Sequence, residues 1–312
     1  MTRKLALSAA LGLALAAGAT HAQTIRFMTG PQGGSWYPLG GAIQSIVEKA
    51  VPGSSVQVSP GAGISNVRGI QDGKAELGFG NGVSTVDGVA GREPFKAKQD
   101  NVCHVGTLYF QYFHFVALVD SGVKTPGDLK GKAITTQQRG NTGEQMTREV
   151  LKVYGLDYKA MSKVNHGSYN DSVDQLKDGH AQAFGLITTV PASAVMDLAA
   201  AREIRVLEVP DDKLKALQEI NRGYDKRIIK AGSYPKQDRD IQTIGTWTHL
   251  IASCKLPEDQ VYRITKALAD NIPTLGAVVA AVKEISVKDM AIDVGVPYHP
   301  GALKYYKEAK VK

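Results

Sequence analysis

The chain has 312 residues, of which 43% are hydrophobic and 21% are charged. These proportions are typical of a soluble globular protein, so they argue against a disordered chain and against a polytopic membrane protein. Lysine and arginine outnumber aspartate and glutamate by 37 to 30, which gives a formal net charge of +7. No arginine-rich run or RNA-binding aromatic signature accompanies this excess, so we do not expect a nucleic-acid-binding protein.

Residues 1–22 have the pattern of a secretory signal peptide. Arg3 and Lys4 precede the apolar run Leu5–Ala17, and small side chains follow at Thr20 and Ala22. The run is shorter than the roughly 20 residues that span a bilayer, and no cysteine follows it for a lipid anchor. We therefore expect an exported mature protein that is long enough for two domains.

Two cysteines, Cys103 and Cys254, are present in the mature sequence. In an oxidising compartment they can pair across the chain, but two buried free thiols fit the sequence equally well. Two cysteines are too few for a cysteine-rich zinc site, and we expect no metal. His104 follows Cys103 directly, and neighbours on a strand face opposite ways, so we expect one to be buried and the other exposed rather than a catalytic dyad.

Strand-like runs alternate with amphipathic segments and glycine-rich connections, which predicts an α/β fold with a largely parallel sheet. The first unit is the clearest, because a strand over 24–29 leads through glycines into a helix over 36–50 with apolar residues at helical spacing. Further strands are predicted at 56–59, 76–80, 102–108, 133–136 and 181–187, and further helices at 64–70, 144–154, 171–177, 192–201 and 257–272.

Two long extended runs, Phe113–Val119 and Ile241–Ser253, bracket the middle of the chain. A chain that leaves one domain and returns to it by two strands forms two lobes joined by a hinge. We therefore predict that residues 23–115 and 250–312 form lobe I and that residues 116–249 form lobe II.

Four predicted helices begin at the carboxyl ends of strands, where open parallel sheets bind their ligands. Free backbone N–H groups and the positive end of the helix dipole favour an anion there, by roughly 0.3 to 1 kcal/mol for each exposed helix start. These starts lie near Ser35, Ser65, Gly143 and Pro191. Together they predict a site for a small carboxylate.

Side chains must add to this binding, because a micromolar ligand needs about 8 kcal/mol. The plausible contributors are Trp36, Tyr37, Asn66, Thr142 and Tyr234. Arg139, which precedes a glycine-rich loop, is either a bidentate partner of a ligand carboxylate or a solvated loop charge.

The sequence contains no recognisable motif for binding a nucleotide cofactor or for catalysis. Neither Gly73-Lys74 nor Gly131-Lys132 has the earlier glycine of a phosphate loop, and no Gly-x-Gly-x-x-Gly occurs. The histidines lack the His-Glu-x-x-His spacing, and no Gly-x-Ser-x-Gly elbow is present. We therefore expect neither a cofactor nor an enzyme.

A family resemblance begins in the segment 29–42, TGPQGGSWYPLGGA. This segment resembles the opening motif of the TAXI family, the extracytoplasmic solute receptors of one group of TRAP transporters. The similarity extends over the mature chain. Further similar segments are Gly63–Arg68, Asp128–Lys132, Val190-Pro191, Ala231–Pro235, His299–Ala302 and Tyr305-Tyr306.

The resemblance implies a two-lobed type II periplasmic binding protein fold with two hinge crossing strands. It also implies a monomer in the periplasm that delivers a small organic carboxylate, similar to glutamate or 2-oxoglutarate, to the membrane subunits of a TRAP transporter. Carried over by position, the family's cleft residues are Gly34, Trp36, Tyr37, Ser65, Asn66, Thr142, Pro191 and Tyr234.

The sequence departs from the family pattern within the cleft. Trp36 stands where tyrosine is usual, and Asn81 and Asn141 lie in loops that differ from the family's segments. The ligand therefore need not be the family's usual one. An alternative stays open, namely a receptor of another transporter type or of a sensor kinase that binds an aromatic compound or an amino acid.

Overall fold

A computed structural model describes residues 23–31 and 34–312, so the predicted signal peptide lies outside the described residues. Over these residues the chain forms a ten-stranded sheet and eleven α-helices. The strands are β1 Gln23–Met28, β2 Ser54–Ser59, β3 Leu77–Asn81, β4 Val102–Leu118, β5 Ala133–Gln137, β6 Lys163–Gly167, β7 Ala183–Thr188, β8 Ile204–Val206, β9 Asp225–Ile229 and β10 Ile241–Ser253.

The helices alternate with the strands through most of the chain. They are α1 Trp36–Ala50, α2 Gly63–Gln71, α3 Gly82–Ala90, α4 Thr142–Val153, α5 Tyr169–Lys177, α6 Ser193–Ala201, α7 Asp211–Ile220, α8 Glu258–Asp270, α9 Ile272–Val278, α10 Val287–Met290 and α11 Pro300–Glu308. Among the residues described, no helix has both the length and the apolar character that crossing a membrane requires.

The sheet has parallel strands at both ends and antiparallel strands at its centre. Its order is β2-β1-β3-β10-β4-β7-β5-β6, with β8 paired to β4 and β9 paired to β10. The pairs β1/β2, β1/β3, β5/β6 and β5/β7 are parallel, whereas every pair that includes β4 or β10 is antiparallel. The predicted α/β class is confirmed, and the two long strands at the centre join the two parallel groups.

The long strands β4 and β10 each pass from one hydrophobic core to another. In β4, Leu108 and Tyr109 belong to a first core formed with α1, α8 and α11, whereas Phe113 belongs to a second core formed with α4 and β7. In β10, Leu250 belongs to the first core and Ile244 to the second. The molecule therefore has a separate apolar interior on each side of the centre of these strands.

Several elements differ from the sequence prediction. The strands predicted at 102–108 and 113–119 are one strand, β4, because its central residues also pair with β10. Helix α3 and strands β6, β8 and β9 were not predicted, since glycines or charged residues mask their periodicity. Helix α6 begins at Ser193, with Ala192 as its N-cap, so Pro191 lies before the first turn and not within it.

Cys103 and Cys254 form a disulfide, with their Cα atoms 5.1 Å apart. The bond joins the start of β4 to the residue after β10, where Cys103 pairs with Ala252 in the sheet. The expectation that one of Cys103 and His104 is exposed is wrong, because both are buried. They do face opposite sides of β4, but this central strand is covered on both faces.

The disulfide should stabilise the fold, because it closes a loop with a sequence separation of 151 residues. We expect the double substitution Cys103→Ser and Cys254→Ser to lower the free energy of unfolding by about 2–4 kcal/mol. Urea unfolding at pH 7 measures this difference, and addition of a reductant to the wild-type protein should produce the same loss. An unchanged unfolding midpoint would show that the bond does not constrain the unfolded chain.

Candidate functional site

A cleft lies beside the central strands β4 and β10, where the starts of α1 and α3 approach the starts of α4, α5 and α6. Its inner cavity has a volume of about 20 Å³, which is room for one water molecule. An outer cavity of about 220 Å³ adjoins it and shares Gly34, Ser35 and Tyr169 with it. The inner cavity is lined by Pro31, Gly34, Ser35, Trp36, Asn81, Gln111, Asn141, Tyr169 and Ile187, and the outer one adds Pro38, Thr188, Thr189, Ala192, Ser193 and Ala194.

Five helices begin at this cleft, namely α1, α3, α4, α5 and α6. The first residue of α1 is Trp36 and that of α5 is Tyr169, while Asn81, Asn141 and Ala192 are the N-cap residues of α3, α4 and α6. The starts of α1, α3 and α6 have no side-chain cap. In α3 the Val83 N–H donates to Thr246 Oγ1 over 3.0 Å, and Pro38 in the first turn of α1 has no N–H. The other first-turn N–H groups of these helices remain available to an acceptor, and the positive end of each helix dipole lies at the cleft.

The cleft lining is polar but carries no formal charge among the described residues. Hydroxyl, amide and indole groups supply its hydrogen-bonding capacity, and lysine, arginine, aspartate and glutamate are absent from the described lining. An anion held there would interact with neutral donors and helix starts. Such sites bind carboxylates through hydrogen bonds from backbone N–H groups without requiring a cationic side chain.

The floor of the cleft is held by hydrogen bonds to the two long strands. Trp36 Nε1 donates to Thr248 Oγ1 over 3.2 Å, and Asn81 Nδ2 donates to Gln111 Oε1 over 3.1 Å. The hydroxyl oxygens of Ser35 and Tyr109 lie 2.7 Å apart. Burial raises the pKa of Tyr109 to about 12, so its hydroxyl keeps its proton at neutral pH. These contacts fix the side chains that face a ligand.

Beside the cleft, the starts of α2 and α4 touch each other directly. Ser65 donates from its backbone N–H to the carbonyl oxygen of Gly140 over 3.3 Å, and Thr142 Oγ1 donates to Ser84 Oγ over 3.0 Å. A β-carbon added at Gly63 would overlap Thr142 Oγ1. Ser65 therefore contacts Gly140, and Thr142 contacts Ser84 and Gly63, so both residues join the α2–α3 region to the start of α4.

A second set of contacts across the boundary lies deeper, between α3 and α4. Gln145 Nε2 donates to Asp87 Oδ2 over 2.8 Å and to Glu149 Oε1 over 2.9 Å. The Tyr224 hydroxyl donates to the other oxygen of Glu149. Burial raises the pKa of Glu149, and Tyr224 and Gln145 oppose this shift by hydrogen bonding to the carboxylate. Gln145 Nε2 thus connects the carboxylate groups of Asp87 and Glu149.

Two predicted ligand residues have structural roles instead. Asn66 is fully buried, and its Nδ2 donates to the carbonyl oxygens of Met28, Thr29 and Phe79. The Tyr234 hydroxyl donates to His114 Nε2 or accepts from it over 2.7 Å, and it accepts from the Ala192 N–H over 3.0 Å. Asn66 and Tyr234 therefore hold neighbouring backbone in place and lie outside the described lining of the cleft.

Three further predicted residues lie outside the described cavity lining. Tyr37 is 40% exposed although it is the second residue of α1. Pro191 and Arg139 are also exposed. The Arg139 guanidinium has no hydrogen-bond or carboxylate partner among the described residues, which agrees with the solvated alternative for this side chain. Of the eleven predicted residues, Gly34, Trp36, Asn81 and Asn141 line the cleft itself.

Sequence reasoning missed six polar residues of the lining. They are Ser35, Gln111, Tyr169, Thr188, Thr189 and Ser193. Tyr169 could have been found, because Ser168 and Asp171 form a capping box that marks the helix start beside it. Gln111 could not, because it belongs to the middle of β4, which the sequence pattern divided into two strands.

One hydroxyl–histidine chain has the atoms of a catalytic relay but no access to substrate. His249 Nε2 lies 2.8 Å from Thr85 Oγ1, and its Nδ1 lies 2.9 Å from His104 Nδ1. All three residues are fully buried in the first core, away from the described cavities. Burial lowers the pKa of His104 to about 3 and that of His249 well below its ordinary value. The two histidines are therefore neutral, and their role is structural.

These buried histidines predict a loss of stability as the pH falls. Burial also lowers the pKa of His114 to about 4. Below about pH 6.5 the unfolded chain binds protons that the folded chain excludes, so the free energy of unfolding decreases, by up to about 1.4 kcal/mol per pH unit for each histidine. Urea unfolding between pH 7 and pH 5 measures the slope.

The substitution His114→Gln provides the control for this slope. Glutamine does not titrate but can keep a hydrogen bond to Tyr234, so the variant should lose the contribution of one histidine. We expect its slope between pH 6 and pH 5 to be smaller by about 1 kcal/mol per pH unit. Equal slopes for the two proteins would contradict a neutral, buried His114.

The architecture is that of the two-lobed periplasmic binding proteins. An ancestral arginine-binding protein bound to arginine matches with 16% identity and a TM-score of 0.53, over 83% of this chain and 98% of that chain. A structure titled "Structure of a periplasmic transporter" matches with 14% identity and a TM-score of 0.52, over 93% of both chains.

A third match comes from work on glutathione import through GshT and the cystine ABC importer TcyBC of Streptococcus mutans. It has 14% identity and a TM-score of 0.52, over 86% of this chain and 99% of that chain. At these identities the likeness concerns the fold alone. The chain belongs to the NMT1-like family, whose profile matches residues 27–309.

Proposed function

We propose that this protein is an extracytoplasmic solute receptor, which encloses a small organic carboxylate between two lobes and delivers it to the membrane subunits of a transporter. The observation that carries this proposal is the cleft itself. Five helices begin at it, α1 and α3 from the proposed first lobe and α4, α5 and α6 from the second, and the starts of α1, α3 and α6 have no side-chain cap. This arrangement suits an anion and offers no nucleophile with a base.

The proposed lobes are residues 23–115 with 250–312, and residues 116–249. The separate hydrophobic cores support a division along β4 and β10, which pass from one core to the other, but Phe113 and Phe115 of β4 pack in the second core. An organic acid is too large for the inner cavity of about 20 Å³, so a ligand must enter while the lobes are apart. Closure then gains free energy only from contacts that the closed form makes better than the open form.

The charge of the lining favours an acid without an amino group. A buried ammonium group needs an acidic partner, and the described lining residues include neither aspartate nor glutamate. We therefore place 2-oxoglutarate-like acids ahead of glutamate and of amino acids in general. An amino-acid ligand is the alternative, and direct comparison of 2-oxoglutarate with glutamate distinguishes the two.

The proposed transporter is of the TRAP type. The resemblance of the segment 29–42 to the TAXI opening motif supports this assignment, and Gly34 and Trp36 of that segment line the cleft. The signal-peptide pattern of the first 22 residues supports a periplasmic location. The fold neighbours named above include proteins of ABC importers, so the permease gene encoded beside this protein is the deciding observation.

Within the proposed site the residues have different roles. Gly34, Trp36, Asn81 and Asn141 contact the ligand, together with Ser35, Gln111 and Tyr169, which line the same cavity. Ser65 and Thr142 bring the lobes together, and Asn66 and Tyr234 hold helix starts in place. Tyr37, Pro191 and Arg139 lie on the exposed rim, where they contact the ligand only as it enters.

The substitution Asn141→Asp tests the preference for an anion. Aspartate is as good an N-cap as asparagine, so α4 should keep its start, but a negative charge enters the cleft. We expect the affinity for 2-oxoglutarate in isothermal titration to fall at least tenfold. Asn271→Asp, at the N-cap of α9 and outside the described cavity lining, is the matched control and should change the affinity less than twofold.

Two results would contradict this part of the proposal. One is an Asn141→Asp variant that is folded and binds the acid as tightly as the wild-type protein. The other is a wild-type protein that binds no C4–C6 dicarboxylate at millimolar concentration but binds an amine or a neutral solute.

The substitution Gly63→Ala tests lobe closure. The added methyl group would overlap Thr142 Oγ1 across the boundary, so it should hold the lobes apart. We expect a larger radius of gyration in small-angle scattering and a ligand affinity reduced at least fivefold. The double variant Gly63→Ala with Thr142→Ala removes the overlap across the boundary and leaves the approach of the methyl group to Asn81 Oδ1 at 2.9 Å within the first lobe. It should therefore recover the wild-type radius of gyration and most of the affinity. No recovery would mean that the two residues do not meet on closure.

A further inference from the structure

A surface groove lies between β8 and the segment 234–241, and it shares none of the described cleft-lining residues. It has a cavity volume of about 470 Å³. Its lining comprises Ile204, Arg205 and Val206 of β8, Tyr234–Arg239 and Ile241 of the facing segment, and Val119, Lys124 and Glu203 at its ends. The proposed solute site does not explain this groove.

One edge of β8 faces the groove and is unpaired. On its other edge β8 pairs with β4, where the Leu207 N–H donates to the Phe115 carbonyl over 2.8 Å and the Val119 N–H donates to the Glu203 carbonyl over 3.0 Å. Because backbone groups alternate along a strand, those of Ile204 and Val206 point away from β4. Within the described residues, neither of these N–H groups has a hydrogen-bond partner.

The groove carries an excess of positive charge. Four cationic side chains line it, Lys124, Arg205, Lys236 and Arg239, against two acidic ones, Glu203 and Asp238. Lys236 pairs with Glu203 over 3.1 Å, and Arg239 pairs with a glutamate outside the groove. Lys124 and Arg205 have no carboxylate partner among the described residues. Arg205 Nη1 donates to the carbonyl oxygen of Val123 over 3.1 Å, which leaves the other guanidinium N–H groups and the Lys124 ammonium group for an acidic occupant.

We propose that this groove binds an extended acidic segment of a partner protein, which pairs with the free edge of β8 as an added strand. Main-chain hydrogen bonds to Ile204 and Val206 would supply affinity, and Lys124 and Arg205 would select acidic side chains. The two residues lie about 7 Å apart along the strand, so a segment of four to six residues covers the edge. A second copy of this chain fits less well, because its own basic edge would be repelled.

A peptide titration tests the pairing. The probe is a blocked six-residue peptide of alternating glutamate and valine, and its control replaces glutamate with lysine. We expect the acidic peptide to shift the amide resonances of Ile204 and Val206 and to slow their hydrogen exchange. The basic peptide should bind at least tenfold more weakly, and added salt should lower the affinity for the acidic peptide. The measurement is independent of any cleft ligand, so it stands or fails apart from the proposed function.

Variants separate strand pairing from simple charge attraction. Val206→Pro removes the outward N–H without removing a bond to β4, and proline is tolerated on such an edge. It should lower the affinity for the acidic peptide at least tenfold. Val206→Ala keeps the N–H, so its affinity should stay within threefold of the wild-type value. The double substitution Lys124→Glu and Arg205→Glu should also lower the affinity at least tenfold, and Lys215→Glu on α7, outside the groove lining, should not.

Four outcomes would overturn the proposal. Two of them are an acidic peptide that does not bind at millimolar concentration and one that binds without shifting the two amide resonances. A third is a folded Val206→Pro protein that binds the peptide as well as Val206→Ala protein does, which would leave only charge attraction. A dimer that forms through this edge in the wild-type protein, and disappears in Val206→Pro, would assign the groove to a second copy instead.

Discussion

The antiparallel pairing of β4 with β10 is the constraint on which the rest of the molecule depends. The two strands pair from Gly245 with Tyr112 to Ser253 with Val102, and the disulfide joins them beyond one end. Every other strand attaches directly or through a neighbour to this pair. The same ladder also supplies the floor of the cleft. A ligand in the cleft would therefore lie against the central strands, which pair with the most neighbours in the sheet. The helix starts around it come from both sides of the cleft.

The cleft combines strong positional control with an absence of formal charge among its described lining residues. Tyr109 and Thr248 hold Ser35 and Trp36 in place, and Gln111 holds Asn81. Helix dipoles and backbone N–H groups add a positive potential that does not depend on a mobile side chain. A buried lysine or arginine would pay a desolvation penalty whenever the cleft closed without its partner anion. Neutral donors avoid this penalty, and they also make an ammonium-bearing ligand unfavourable.

The sequence predicts much of the fold because local signals agree with tertiary structure at the ends of the sheet. The glycine-rich loop before α1 and the apolar spacing within it correctly predict Trp36–Ala50, and the run Ile241–Ser253 correctly predicts β10. The centre of β4 was missed because Tyr109–Gln111 is polar and aromatic, a pattern set by pairing with β10 and by the cleft. Long-range pairing of this kind leaves no periodic signal.

The predicted position of the site agrees with the structure better than the predicted list of its residues does. The prediction that several helix starts gather at one place agrees with the geometry, but only four predicted residues line the cleft. Asn66 shows why, since a buried asparagine beside a helix start can serve either a ligand or three backbone carbonyls, and only coordinates distinguish these. Tyr234 illustrates the same ambiguity at longer range, because its partners His114 and Ala192 are distant in sequence.

The central claim is that N–H groups at helix starts from both sides grip one anionic ligand. A crystal structure of the protein grown with 2-oxoglutarate tests it most directly. The account predicts a carboxylate between Trp36 and Asn141, with its oxygens about 3 Å from first-turn backbone N–H groups on both sides. Ligand bound elsewhere, or a carboxylate held by a lysine or arginine side chain with the helix starts turned away, would contradict it.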